Sequence, residues 1–250
     1  MSENWDVYFG YIEDRMASVV LDMDITEEVN TEEYHHPYCI SFKVKKPNED
    51  GFPIGAEADR LGDIEDSLID SLDTRHFVHV GRVTTDGIRD LIFYSNQKGQ
   101  DALVHAAERF SQPAGYEVEV FRIEEDEPWD FYYDFLYPNQ YQQQHMGNRH
   151  VVERLEESGD TLQIPRKVEH WVYFDNSKSM KRFGKAIKKE GFSIESETGH
   201  PDEEGKYVLT ISRVDLVDLP SINEVTDLLV EISETYAGEY DGWETLVIES

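Results

Sequence analysis

Hydrophobic spacing along this chain switches between a period of two residues and a period near three and a half, and the same order of switches occurs twice. In the first half, Tyr38 to Val44 alternates as a strand, and Leu61, Ile64, Leu68, Ile69 and Leu72 then recur at helical spacing. Phe77 to Thr84 and Ile88 to Tyr94 read as strands joined through Thr85-Asp86-Gly87, where Asp-Gly is a strong hairpin signal. A helix with Leu103, Ala106, Ala107 and Phe110 on one face follows, then a strand over Tyr116 to Ile123. Val7 to Tyr11 and Ala17 to Ile25 add a strand pair in front.

The second half opens with a lead-in helix carrying Val151, Val152 and Leu155 and ending at Gly159. A strand over Val168 to Phe174 precedes a helix that Ser177 can cap and Gly191 can stop, with Met180, Phe183 and Ile187 as its apolar stripe. Strands Phe192 to Ser196 and Tyr207 to Val214 come next, then a helix with Ser221 and Glu224 as its capping box, and a last strand over Trp243 to Ile248. Strand, helix, strand, strand, helix, strand is the split βαβ order of ferredoxin-like folds. The expected fold class is therefore α+β: two ferredoxin-like modules with antiparallel sheets, the first with an extra N-terminal strand pair.

Length permits two domains, since 250 residues can bury two separate cores. The expected boundary lies at Pro138, giving domains 1–138 and 139–250, with a polar connector within 124–147 that includes the glutamine run after Asn139. Charge divides unevenly across that boundary. The whole chain has a formal net charge of -30; residues 1–138 hold 31 acidic and 11 basic side chains, and residues 139–250 hold 22 and 12.

Such acidity repels nucleic acid and anionic lipid and favours basic protein partners, and it also serves solubility. One cysteine, Cys39, excludes an intramolecular disulfide and suits a reducing compartment. The acidic stretch from Met1 to Tyr11 lacks signal-peptide character, and no apolar run approaches membrane-spanning length. The expected location is cytoplasmic, with no membrane contact.

Motifs that carry chemistry are absent from the sequence: no phosphate loop, no dinucleotide fingerprint, no Gly-x-Ser-x-Gly elbow, no His-Glu-x-x-His, no calcium loop. His35-His36 is a poor metal site, because adjacent side chains rarely converge on one ion. His76 and His79, three apart in a strand, point to opposite faces. His170 alternates with apolar neighbours and reads as a hydrogen-bonded sheet histidine rather than a catalytic base. Asp22 and Asp24 share a strand face and read as solvated, and Glu124 to Glu127 reads as a solubilising connector. No enzymatic activity, cofactor or metal is expected.

One local feature departs from the acidic average. Lys178, Lys181, Arg182, Lys185, Lys188 and Lys189 fall within roughly 120° of one another on a single helix, opposite Met180, Phe183 and Ile187. Six cations there are either an ordinary solvated face or a docking surface for an acidic partner, for RNA, or for the acidic first module.

Gly159-Asp160, Pro165-Arg166, Glu169-His170-Trp171-Val172-Tyr173-Phe174, Gly191-Phe192 and Tyr240-Asp241-Gly242-Trp243-Glu244 together resemble the regulator of ribonuclease E activity B family over about residues 147 to 248. The first half resembles an uncharacterised domain family found in front of such modules, with Asp50-Gly51-Phe52-Pro53 and Pro128-Trp129 as its most distinctive pieces. The resemblance implies a small acidic protein that binds an endoribonuclease and lowers its activity by contact, without a cofactor. Its motif residues Arg166, His170, Trp171, Tyr240, Asp241, Gly242 and Trp243 read as structural: Asp241-Gly242 offers a turn, and Tyr240 and Trp243 pack against the strand bearing Trp171.

Three functions follow as expectations. The first is a non-enzymatic regulator or adaptor that binds a protein partner, a ribonuclease or another RNA-processing protein, without direct nucleic-acid binding. The second is a nucleic-acid mimic using the carboxylate face at Asp63, Glu65, Asp66 and Asp70. The third is a hydrolase assembled from scattered carboxylates with His170 or His79.

Overall fold

The computed structural model describes residues 4–248, so the first three residues of the acidic N-terminal stretch lie outside it. The chain divides into two compact units, Met1–Pro138 and Asn139–Ser250. Both are α+β, built on antiparallel sheets of six and four strands.

In the first unit, β1 (Trp5–Ile12) and β2 (Arg15–Asp22) form a hairpin, followed by a single helical turn α1 (Ile25–Glu28) and β3 (His36–Lys43). Helix α2 (Ala56–Ser71), strands β4 (Phe77–Thr85) and β5 (Ile88–Ser95), helix α3 (Gln100–Ser111) and strand β6 (Val118–Arg122) complete it. The sheet order is β1-β2-β4-β5-β3-β6 with every neighbour antiparallel. The last four strands have the ferredoxin-like arrangement, and the hairpin extends the sheet beyond β4. Asp86 and Gly87 both have positive φ, as the two-residue turn between β4 and β5 requires.

Period-two alternation sends Tyr38, Ile40, Phe42, Leu91 and Phe93 towards α2 and α3, where they meet Leu61, Leu68, Leu103 and Ala107 in one buried cluster. Glu65 on α2 belongs to this buried side. Its carboxylate accepts from Arg82 at 2.9 and 3.1 Å and lies 3.6 Å from Arg89. Two guanidiniums neutralise a carboxylate that would otherwise be costly to bury.

The opposite sheet face is closed by the segment after β6. Trp129, buried and at φ 73, stacks on Tyr94 with ring centroids 3.9 Å apart and planes 5° from parallel. Its indole N–H donates to the carbonyls of Thr31 (3.1 Å) and Tyr34 (2.7 Å). A π-helical turn, Phe131–Leu136, continues the strap: Tyr132 Oη donates to the Asp22 carbonyl, and Tyr8 Oη to that of Leu136. Left-handed backbone at a bulky residue is unfavourable and persists only where surrounding contacts over-determine it. Gly51 does similar work at the sheet's end. At φ +88, a Cβ there would stand 2.6 Å from the Asp86 backbone nitrogen, so only glycine lets this loop dock on the β4–β5 turn.

The second unit begins with α4 (Gln140–Glu157), then β7 (Arg166–Phe174), α5 (Ser177–Ile187), β8 (Ser193–Glu197), β9 (Tyr207–Asp215), α6 (Leu219–Thr235) and β10 (Gly238–Thr245). Its sheet order, β10-β7-β9-β8, places the last and third strands either side of the first, again the ferredoxin-like arrangement. Val168, Val172, Phe174, Leu209 and Ile211 pack under Met180, Phe183, Ile222 and Leu229.

Several boundaries differ from expectation. The lead-in helix starts earlier than expected and takes in residues 140–147 of the stretch assigned to the connector, because Asn139 and Gln142 form a reciprocal capping box that starts α4 inside the glutamine run. Asn176, not Ser177, caps α5, accepting from the Ser179 N–H at 2.9 Å. Asp218, not Ser221, caps α6, with Pro220 in its first turn. Strand β2 ends at Asp22 and Ile25 opens a helical turn. Asp241-Gly242 is a bulge within β10, not a turn, so that strand starts at Gly238 and ends at Thr245.

Replacing Trp129 by Ala removes the stack and two hydrogen bonds from a closed site, and is expected to cost about 3–5 kcal/mol in urea unfolding. Trp129→Phe retains a ring on Tyr94 and should cost visibly less.

Candidate functional site

Helix α5 presents a concentrated basic surface in the second unit. Asn176 caps its start, and a 3-10 turn over Lys188–Glu190 carries it to Gly191, at φ 85. Met180, Phe183 and Ile187 are buried in the core. Gly184 faces the sheet, and a Cβ there would lie 3.2 Å from the Ile194 side chain, so the helix sits close against the strands.

With that face fixed inward, Lys178, Lys181, Arg182, Lys185, Lys188 and Lys189 are all exposed. Among the described residues none of the six belongs to an ion pair, although the chain holds 53 acidic side chains. Arg182 lies 5.4 Å from the Tyr236 ring centroid, a contact that steadies it while leaving its charge uncompensated. Lys188 and Lys189 at the carboxyl end also suit the helix dipole, but Lys178 in the first turn does not. The chemistry of this surface is attraction for carboxylate or phosphate.

Of the family-motif residues, Arg166, His170, Tyr240 and Trp243 build the unit's interior. Arg166 and Asp160 form a buried bidentate pair: Arg166 Nη1 donates to Asp160 Oδ2, and Nη2 to Oδ1 at 2.8 Å. The same carboxylate accepts from the Leu162 and Ile248 N–H groups, both at 2.8 Å, and Arg166 donates to the carbonyls of Ile164 and Leu246. This clamp ties residues 246–248, expected to be strand, to the entrance of β7. Hydrogen bonds from Arg166 hold the Asp160 carboxyl well below the usual carboxylate range.

His170 is fully buried, its Nδ1 2.9 Å from Tyr240 Oη and its ring edge-on to Phe192. Burial pushes its pKa down to about 3. Trp243 on β10 donates from its indole N–H to Asn148 Oδ1 at 2.7 Å, and the Asn148 amide donates to Asn223 and Thr226 on α6. Trp171, opposite Gly242 on β7, is half-buried on the sheet face that points away from this core, separate from Tyr240 and Trp243. Asp241 is exposed, its carbonyl accepting from Gln144. Sequence reasoning missed Asn148, because a polar residue inside a glutamine-rich helix carries no periodic signal.

In the first unit, the expected carboxylate face of α2 is smaller than the sequence suggests. Asp63, Asp66 and Asp70 are exposed, but Glu65 is buried between Arg82 and Arg89. Asp22 is buried, not solvated, with Oδ1 3.2 Å from the Asp24 N–H, and Asp24 lies beyond the strand. Glu125 is more than a solubilising residue: it accepts from Tyr94 Oη and from the Trp129 and Phe131 N–H groups. His76 precedes β4 and pairs with Asn96, while His79 is buried on the helix side of the sheet. The rings of His35 and His36 do approach, at 4.3 Å, yet among the described residues no group of three His, Cys, Asp or Glu could hold a metal ion. No helix among them is long and apolar enough to cross a membrane.

Two stability measurements check these assignments. Asp160→Asn leaves Arg166 buried without its counter-charge and should destabilise the second unit by about 3–5 kcal/mol. For His170, the unfolded imidazole takes up a proton below its ordinary value of 6.5 while the folded one refuses it down to about 3. Stability is thus fully present above pH 6.5 and lost as pH falls. Between pH 7 and pH 5 the loss from this residue should reach about 2 kcal/mol in urea titrations. The pH dependence should flatten by that amount in His170→Phe.

Comparison with known proteins gives two family matches: the family of unknown function (DUF695) over residues 3–137, and Regulator of ribonuclease activity B over residues 145–245. No curated protein matches the chain. Among solved structures, an unknown protein from Galdieria sulphuraria is 13% identical, with 85% of this chain and 99% of that one covered, at a TM-score of 0.24. A putative glycine cleavage system transcriptional repressor is 9% identical, with 84% and 98% covered, at 0.23. Scores this low carry no argument. Matched from residue 3 to residue 137, the chain belongs to the family of unknown function DUF695, with a second half similar to Regulator of ribonuclease activity B.

Proposed function

We propose that this chain is a regulator that acts by protein contact and without catalysis, and that its second unit binds a ribonuclease or another RNA-processing protein and lowers its activity. The observation that carries this reading is the match of residues 145–245 to Regulator of ribonuclease activity B. The side-chain geometry supports it. Arg166, Tyr240, Trp243 and the Nδ1 of His170 are engaged in internal hydrogen bonds, and all four residues are buried.

The cationic face of α5 is exposed and, among the described residues, in no ion pair. Its natural counterpart is an acidic protein segment. RNA offers the same charge sign, but a molecule at -30 overall repels a polyanion at long range. A compact carboxylate-bearing segment can approach the six cations without bringing a continuous phosphate backbone across the rest of the surface. This reading places the protein in the cytoplasm, where Cys39 remains a buried free thiol.

The test is a cleavage assay with purified host endoribonuclease and a defined transcript, with and without the full chain. Cleavage should slow in a saturable way. The apparent affinity should fall about tenfold or more between 50 and 500 mM salt, because exposed charges are screened within a few ångströms at the higher value. Cleavage unaffected by stoichiometric protein at low salt would remove the ribonuclease as target.

A further inference from the structure

Strand β6 ends the sheet of the first unit, with β3 on one side and, among the described residues, no strand on the other. The antiparallel ladder decides which of its backbone groups are left over. Lys43 N–H donates to the Glu117 carbonyl at 3.4 Å and Ile123 N–H to the Pro37 carbonyl at 3.0 Å, and the register between them is unbroken. Odd-numbered residues of this stretch therefore bond to β3, and Val118, Val120 and Arg122 turn their N–H and C=O groups to the open edge. Gln100, exposed at the start of α3, donates its side-chain amide to the Val120 carbonyl at 2.9 Å, so a donor already reaches that edge from outside the sheet. Among the described residues the other outward groups of these three have no hydrogen-bond partner.

Where β6 leaves the sheet, its continuation and the strap form a concave site of about 680 Å³. Phe131 and Phe135 of the π-helical turn line it, stacked with ring centroids 4.8 Å apart, and Phe135 is 40% exposed. Glu124, Asp126 and Asp134 line the same site and, among the described residues, enter no ion pair. Arg122 is the basic member of the lining. Glu119, exposed on β6 itself, is likewise in no ion pair.

We propose that the open edge of β6 takes up an extended basic segment of a partner protein as an added strand, with one lysine or arginine side chain seated among Phe131, Phe135 and the carboxylates of the concave site. Main-chain hydrogen bonds supply the hold, while the rings and carboxylates select positive charge. Charge also decides between occupants. Residues 1–138 carry 31 acidic side chains against 11 basic, so pairing β6 with the same strand of a second copy brings like charges together. An acidic strand is repelled for the same reason. The site lies wholly within the first unit and is independent of the contact proposed for α5, which has the opposite sign of charge.

Fluorescence anisotropy with the full chain tests it, using a capped, dye-labelled peptide of alternating lysine and valine about eight residues long. Binding should be saturable at 50 mM salt and about tenfold or more weaker at 500 mM. The matching peptide of glutamate and valine should not bind. Saturation with the lysine peptide should slow amide hydrogen exchange at Val118, Val120 and Arg122 by about tenfold or more and leave the amides of α5 unchanged. Arg122→Pro removes one outward N–H together with a positive charge, at a residue whose N–H takes no part in the ladder. Charge alone then favours the peptide more strongly, whereas strand addition predicts binding about tenfold weaker. Arg122→Gln loses the charge but keeps the N–H, and should bind at least as well as the parent. Absence of saturable binding of the lysine peptide overturns the proposal, as does binding that leaves the three amides unprotected. Equal affinity of folded Arg122→Pro and Arg122→Gln does the same. If Arg122→Pro does not fold, hydrogen exchange on the parent chain decides.

Discussion

A sheet with helices on one face has a second face to account for, and that constraint organises both units. In the first, the stack of Trp129 on Tyr94 closes it: the strap after β6 crosses the sheet, and the indole N–H satisfies two carbonyls of the segment leading into β3. Because Tyr132 and Leu136 bond back to Asp22 and Tyr8, the same strap also fixes the added hairpin. The second unit solves the problem differently. It places α4 beside α6 on the helix side, locked by Asn148, and leaves Trp171 and Tyr173 half-exposed on the other face.

That difference separates the functional readings. A first unit closed on both faces leaves the edge of its sheet open at β6. A second unit whose Arg166, His170, Tyr240 and Trp243 are engaged in its own clamp and core offers a surface. Arg166 with Asp160 secures the last residues, and His170 with Tyr240 fills the centre. The cations of α5 stay exposed, and the proposed contact is assigned to them.

Much of this architecture was legible from periodicity and turn chemistry. Asp86-Gly87 announced its hairpin, and the stripe of Met180, Phe183 and Ile187 fixed which side of α5 faces solvent. Three kinds of feature were not legible. Helix starts slipped because Asn139, Asn176 and Asp218 compete with nearby Ser, Thr and Asn as caps, and only backbone geometry decides. Glu65 read as surface because a buried carboxylate looks like any other until Arg82 and Arg89, distant in sequence, are seen around it. Glu124 and Asp126 read as connector, since the rings of Phe131 and Phe135 are brought to the same concave site by a π-helical turn that carries no periodic signal.

The central claim is that Arg166, His170, Tyr240 and Trp243 build the second unit while the proposed contact is made by the α5 cations. The most direct measurement is the unfolding curve and partner affinity of a Lys181→Glu, Lys185→Glu double variant. Both side chains are exposed and unpaired, so the unfolding midpoint should stay close to that of the parent, while affinity for the ribonuclease falls by tenfold or more. A variant that folds like the parent and binds the ribonuclease equally well would contradict the account.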